Sequence, residues 1–554
     1  MSSALASAGP ELDAPPVGRR HGWLRLLVAA LAGLATGLSF EPYALWPLLA
    51  LSLPAFTLTV FGQPLRRSFG LGYAFGLGML GVAVNWVHVL GWWVAVLLIV
   101  FEALFFGLLG LALSLVSRLR WWPLAAACCW VMIEFAYARA PFGGFGWTRI
   151  AYAAVDTPLA GWLPMIGVAG LSFLVALVGQ LIAWAAAPAS SSTTAGRRTR
   201  VAVSAGVALA LALGGIALRT YEPEPAVPSA GTVDVGVVQG NVPGRGIEAL
   251  GRARSVTNNH LTETVDLMAQ ARLGQVPMPD FILWPENSTD IDPQLDSITR
   301  SVVWSAARIA GRPILVGAVT QGPGDDERQT TAMWWDPTYG VLATYHKRNL
   351  VPFGEWIPFR DQLLPLVPIL ADVGAQSVPG TQPGVLRVPV GGRELRVGDV
   401  ICFELAYDAT VYDAVRGSQV LMVQSNNATY GGTGQVEQQF AITRARAMEA
   451  RREIAVATTN SVSGYIDRDG TIVRRTDEFT HDAFVEAMPL RSAITPALRV
   501  APWLDRGLAL AGLVFCVVAS TRIGVRRQAG ARSGTLDGTS SPKAAAQVDS
   551  DERH

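Results

Sequence analysis

Lysine is nearly absent from this 554-residue chain: of 44 basic residues only two, Lys347 and Lys543, are lysines, and every other one is arginine. Where any positive charge will serve, the sequence uses Arg. A lysine ammonium is compact and its pKa is easily tuned, whereas a guanidinium stays charged and forked. Lys347, the one lysine ahead of the C-terminal tail, is therefore a candidate functional residue. Cysteine is scarce as well, with four in all. Cys128 and Cys129 adjoin in one apolar stretch and Cys516 lies in another, where thiols behave as small hydrophobes. Cys402 stands alone in the polar part of the chain, which excludes a disulfide framework there. Charge is sparse at 16% of residues, against about 25% in soluble domains. With a net charge of +1 and no basic run interleaved with aromatics outside the apolar stretches, nothing points to a nucleic-acid partner. The histidines of the polar region, His260, His346 and His481, lack metal-ligand spacing, so no metal site is expected.

Apolar residues make up 51% of the chain and fall into a series of runs at 22–40, 44–61, 69–89, 92–116, 122–138, 159–187, 201–218 and 505–521. Most approach the ~20 residues that a spanning helix needs. The arginines test this count of eight spans. With the N-terminus inside, Arg19, Arg20 and Arg25, then Arg66 and Arg67, Arg118 and Arg120, Arg197, Arg198 and Arg200, and Arg522, Arg526 and Arg527 all fall inside. Only Arg139 and Arg149 lie in the short outer connections, which is a positive-inside pattern. It puts residues 219–500 outside the cytoplasm. The expected organisation is a disordered cytoplasmic segment 1–21, a seven-span membrane domain 22–218, an extracytoplasmic domain 219–500, an eighth span 505–521 and a disordered cytoplasmic tail 522–554. Glu41 and Glu134, at span ends, read most simply as snorkelling acids.

The outer segment alternates short β-rich runs (233–240, 281–286, 313–319, 341–347, 395–404, 420–426, 453–460) with helical patterns near 252–272, 293–310 and 434–451. Such alternation is that of a layered α/β fold. Glu286, Lys347 and Cys402 stand at the C-terminal ends of predicted strands, where α/β folds gather their chemistry. A thiol must lose its proton to attack, a carboxylate can take that proton, and an ammonium can favour thiolate and oxyanion. Each residue also has a plain structural reading. Glu286 could be a first-turn acid, Lys347 a solvated hairpin charge, and Cys402 core filling. Their coincidence at strand ends favours chemistry.

The order Glu–Lys–Cys within VVQGN, WPE, K-x-x-LVPFGE and CFE, together with RARAMEARREIAVATTNSVSGYID, resembles the nitrilase superfamily of carbon–nitrogen hydrolases. The added spans resemble its membrane branch, the bacterial apolipoprotein N-acyltransferases. The resemblance implies a nitrilase-like αββα sandwich beside a polytopic helical membrane domain. It implies Cys402 as nucleophile, Glu286 as general base, Lys347 as oxyanion and thiolate stabiliser, and Glu355 and Glu404 as supporting acids. Trp147, Trp356, Phe403 and Tyr430 become candidate substrate-binding residues. The family commonly has Tyr where Phe403 stands, His where Asn349 stands, and Asp-Ala-Trp-Phe-Gly where Asn427–Gly431 stands, departures that bear on substrate preference more than on the reaction. The implied partners are a membrane phospholipid as acyl donor and diacylglyceryl-modified apolipoproteins as acceptors. The implied setting is the bacterial inner membrane, with a monomer, no cofactor and a catalytic domain on the periplasmic side. The competing readings are a membrane-anchored amidase that uses water and a non-catalytic membrane scaffold.

Overall fold

The computed structural model describes residues 22–188, 194–225, 230–242 and 254–534. The N-terminal segment 1–21 and residues 535–554 of the tail, both expected to be disordered, lie outside the described residues. The apolar runs form helices α1 (Gly22–Gly37), α2 (Leu49–Val60), α3 (Leu65–Ala83), α4 (Trp92–Val116), α5 (Trp122–Tyr137), α6 (Leu163–Ala186) and α7 (Thr194–Leu218). Among the described residues, four helical segments are long and apolar enough to cross a bilayer: Trp92–Val116, Pro158–Ala186, Ala195–Leu218 and Pro496–Arg522. α1, α5 and the segment Trp46–Val60 that contains α2 are apolar but shorter. α3 has its hydropathy diluted by five glycines. Three of them, Gly72, Gly76 and Gly78, serve close approach: a Cβ at Gly72 would meet the Phe106 carbonyl oxygen of α4 at 2.2 Å. Leu97 and Leu209 present 59% and 60% of their surface outward from α4 and α7, as side chains that face lipid do.

The polar region then folds as β1 (Thr232–Gln239), α8 (Ser255–Arg272), β2 (Phe281–Leu283), α9 (Ser297–Ala310), β3 (Ile314–Gln321), β4 (Glu327–Asp336), β5 (Gly340–His346), a one-turn α10 (Arg360–Leu363) and β6 (Gln376–Ser377). It continues through β7 (Val385–Val390), β8 (Arg393–Ile401), α11 (Asp408–Gly417), β9 (Val420–Ser425), α12 (Gly434–Ala450), β10 (Ile454–Thr458), β11 (Gly464–Ile466), β12 (Ile472–Arg475) and β13 (Asp482–Pro489). One sheet has the order β13-β1-β2-β3-β4-β5 with β6 on β4, and the other has the order β12-β11-β10-β9-β8-β7. Val235, Leu283 and Trp334 of the first sheet share a buried core with Val397, Met422 and Ala455 of the second, so the sheets pack face to face. α8 and α9 cover the first sheet through Leu267, Val303 and Ala307. α11 and α12 cover the second, giving the αββα sandwich. α12 is apolar or buried nearly all round because its other side lies on the membrane helices.

The final helix α13 runs Pro496–Gly534, so it starts before the expected span 505–521 and continues into the segment expected to be disordered. β4 opens on Glu327-Arg328-Gln329 and hides its strand character behind polar residues, while β7 carries Pro389 and sits at a sheet edge, where proline is tolerated.

A buried ionic network joins the two parts. Arg446 of α12 pairs with Asp408 and Glu449 at 2.7 Å each, and Arg149 pairs with Asp408 at 2.8 Å. Arg149 also approaches Glu134 at 3.5 Å and Asp505 at 3.8 Å, and Arg139 reaches Asp505 at 2.6 Å. The arginines on the outer side of the expected topology are thus matched by acids. Glu134 is not a snorkelling residue: it is 1% exposed and accepts the Ile150 N–H at 2.8 Å. Glu449 accepts the Val168 N–H at 3.0 Å, just past Gly167, whose positive φ of 67° breaks α6. A Cβ at Gly167 would lie 2.6 Å from the Glu449 carboxylate, so only glycine leaves room for this cap. Arg446→Met takes the guanidinium away from the buried Glu449 carboxylate and leaves Asp408 to Arg149 alone, and it is expected to cost about 3–5 kcal/mol. Arg139→Gln removes a half-exposed guanidinium from the buried Asp505, which keeps Arg149 at 3.8 Å, and is expected to cost less than Arg446→Met. Thermal unfolding in detergent reads both.

Candidate active site

β8 delivers Cys402 one residue past its end, with φ +53°, a left-handed backbone that a non-glycine residue adopts only when its surroundings force it. The surroundings here are Glu404. Its carboxylate is fully buried and accepts from the Ile401 N–H (2.8 Å), the Arg348 N–H (2.6 Å), the Asn349 N–H (3.2 Å) and the Tyr345 hydroxyl (2.8 Å). One side chain therefore ties the thiol's turn to the segment that follows β5. Burial raises the Glu404 pKa, and those backbone and hydroxyl donors oppose the rise.

Lys347 lies one residue past β5 and Glu286 three past β2, so acid and ammonium come from the first sheet and the thiol from the second. Lys347 Nζ donates to Glu286 Oε1 at 2.8 Å and to Glu355 at 3.0 Å. Glu286 Oε2 accepts the Asn426 N–H beyond β9 at 2.8 Å. Glu355 closes its own loop by accepting the Val351 N–H at 2.8 Å. Burial works against the Lys347 charge, but Glu286 and Glu355 outweigh it and hold the ammonium well above its ordinary value. Burial lifts the Glu286 carboxyl above the usual range, with Lys347 opposing. Burial and then Glu286 push the Cys402 thiol up, and Lys347 pulls it back only in part. The thiol at rest is neutral. For such a thiol to react as thiolate, a base beside it would have to take the proton, and Glu286 is the neighbouring carboxylate.

Aromatic rings surround this group. Phe403 stacks with Trp147 at 5.9 Å and with Phe145 at 6.1 Å. Tyr430 lies in the electrostatic reach of Cys402, Glu355 and Lys347 and meets Trp86 edge-on at 5.2 Å. Trp356 belongs to a second aromatic cluster, where Phe142 meets Phe353, Trp356 and Phe359 at 5.9–6.3 Å. The structure thus brings Glu286, Lys347, Glu355, Cys402 and Glu404 together, sets Trp147, Phe403 and Tyr430 around them, and puts Trp356 in the Phe142 cluster. Among the described residues no group of three His, Cys, Asp or Glu could hold a metal ion.

Residues 32–181 match the family model of the apolipoprotein N-acyltransferase N-terminal domain, and residues 305–494 match that of carbon-nitrogen hydrolases. Over 509 residues the chain is 34% identical to a protein of Mycolicibacterium smegmatis named apolipoprotein N-acyltransferase, covering 89% of this chain and 85% of that one. This chain belongs to the apolipoprotein N-acyltransferase family. A Vibrio parahaemolyticus family member of the same name is 26% identical over 517 residues, covering 88% of this chain and 94% of its own. Among solved structures, a mutant of the Nesterenkonia AN1 amidase from the nitrilase superfamily covers 51% of this chain and 99% of its own, with 19% identity and a TM-score of 0.37.

In this family member several residues that hold the site had no signature of their own. Asn426 and Tyr345 act through hydrogen bonds that cross between elements far apart in sequence. The Arg446–Glu449 pair did have a signal, an i,i+3 spacing on a helical pattern, but its partners Asp408 and Arg149 lie in other segments.

Proposed function

We propose that this protein transfers an acyl chain from a membrane phospholipid to the free α-amino group of the diacylglyceryl-modified N-terminal cysteine of lipoproteins, by a ping-pong route through a Cys402 thioester. The observation that carries the reading is the match to relatives named apolipoprotein N-acyltransferase across both the helical part and the sandwich. The mechanism follows from the chemistry of the thiol and its neighbours.

Glu286 takes the Cys402 proton as sulfur attacks the ester carbonyl. Lys347 and a backbone N–H hold the oxyanion. The C–O bond breaks, and Glu286 returns the proton to the lyso-lipid oxygen. The acceptor amine then attacks the thioester, Glu286 takes the amine's proton, the C–S bond breaks and the thiolate regains a proton. An amide is more stable than a thioester, which drives the second half. Glu355 holds Lys347 from the other side, and Glu404 fixes the turn that carries Cys402. Trp147, Phe403 and Tyr430 line the acyl chain's path, and Trp356 belongs to an apolar rim that dips into the lipid.

The same reading places all eight helical runs in the bacterial inner membrane, with the sandwich on the periplasmic side, supported by the distribution of arginines. A lipid substrate gives the membrane part its purpose, since its chains remain in the bilayer while its head reaches the thiol. The chain works as a monomer without a cofactor.

The test supplies purified protein in detergent with phospholipid and a diacylglyceryl-cysteinyl peptide. Lyso-lipid and N-acylated peptide in equal amounts support the transfer. Free fatty acid in place of acylated peptide contradicts it and identifies water as the acceptor.

A further inference from the structure

A primary amide uses its full capacity when its oxygen accepts twice and its nitrogen donates twice. Gln438, near the start of α12, does so while buried. Its Oε1 accepts from the indole N–H of Trp86 at 3.0 Å and of Trp147 at 2.9 Å. Its Nε2 donates to the Glu41 carbonyl at 2.8 Å and the Ala83 carbonyl at 2.7 Å. The amide's orientation is fixed by its partners, because an indole N–H only donates and a carbonyl only accepts. One side chain of the sandwich thereby fastens the α1–α2 connection, the end of α3, the turn after it and the α5–α6 connection. α12 itself needs none of these bonds, since its N-terminus is capped by Thr433 accepting from the Gln435 N–H.

Two routes lead from Gln438 to the thiol. Trp147 stacks on Phe403, the residue bonded to Cys402. Trp86 meets Tyr430 edge-on, and Tyr430 lies within electrostatic reach of the thiol. The two indoles also pack on each other at 6.0 Å.

We propose that Gln438 is a positioning residue. Through Trp86 and Trp147 it holds the aromatic walls beside Cys402 at a fixed depth relative to the membrane helices, and so aligns a fatty ester of the acyl donor with the thiol. The ester group and its acyl chain are themselves uncharged, so the slot's shape and depth help to place them. Sequence reading singled out Trp147 but neither Trp86 nor Gln438.

The inference rests on Cys402 being the acylated residue, and the experiment separates the two. Acylation of the full-length protein by phospholipid is followed by intact mass against donor concentration in the natural chain, Gln438→Leu, Trp86→Phe and Cys402→Ser. Alkylation of Cys402 by iodoacetamide, a small soluble probe that needs no alignment, runs in parallel. In Gln438→Leu the donor concentration for half-maximal acylation rises about 10- to 100-fold, the scale on which ~1 Å misplacements act. Trp86→Phe removes the N–H and trims the indole to a single ring, and it moves the same quantity in the same direction by less. Iodoacetamide reacts at the natural rate in both. Unchanged donor dependence overturns the proposal, as does a parallel fall in alkylation, which marks general loosening. If Gln438→Leu does not fold, Trp86→Phe decides by the same criteria. An acyl adduct that persists in Cys402→Ser overturns the thioester reading instead, whatever the Gln438 result.

Discussion

Glu286→Gln slows Cys402 acylation by about 10²–10⁴-fold, the range that a positioned general base supplies. The magnitude follows from the state of the thiol. Burial and Glu286 itself push the Cys402 pKa up, so thiolate is not available in advance at neutral pH. The amide keeps the shape of the carboxylate and can still accept from Lys347, but it cannot take a proton. The pH profile carries the same information with a definite sign. Glu286 acts as base only when ionised, and burial raises its pKa above the ordinary 4.5. Acylation in the natural chain therefore falls as pH drops through a midpoint above that value, and the Gln variant loses this acid limb. Rapid-mixing acylation with phospholipid micelles across pH measures both effects.

Lys347→Met is the second large effect, about 10²–10³-fold on acylation from the lost oxyanion contact. The variant also leaves the Glu286 and Glu355 carboxylates facing one another with no cation between them. Removing one member of a buried ion pair costs about 3–5 kcal/mol of stability unless the remaining charge is neutralised. Here the escape is protonation of a carboxyl, which removes the base as well. Lys347→Arg does not rescue, because a planar fork cannot replace a point charge held at 2.8 and 3.0 Å by two acids inside a closed site. Acylation rates paired with thermal unfolding distinguish the catalytic loss from the structural one.

Much of this was legible in the sequence for physical reasons. A lysine in a chain that otherwise uses arginine, and a thiol set one residue past an apolar strand, are local anomalies. Local anomalies can be seen without a structure. Glu286, Lys347 and Cys402 lie after β2, β5 and β8, so the expectation that strand ends gather chemistry picked out three residues that the fold brings together. Glu404 entered through the family resemblance, as a supporting acid. Its role as a bracket between Ile401 and Arg348 depends on a contact between two sheets.

What escaped was long-range or masked. β4 and β7 were missed because a polar start and a proline disguise them. Gln438 looks like any polar residue on a helix until four membrane-side partners converge on it. Glu134 looked like a snorkelling acid because its partners Arg149 and Ile150 belong to the next connection. A sequence read along its length shows what each residue is. It does not show which distant donor will meet it.

The central claim is that Cys402 carries the acyl chain. Intact-mass analysis of the detergent-purified protein after incubation with phospholipid tests it, before and after neutral hydroxylamine and beside Cys402→Ser. The account predicts an added acyl mass that hydroxylamine removes and that Cys402→Ser never gains. A folded protein that gains no acyl mass while releasing lyso-lipid, or one whose adduct survives hydroxylamine, contradicts it.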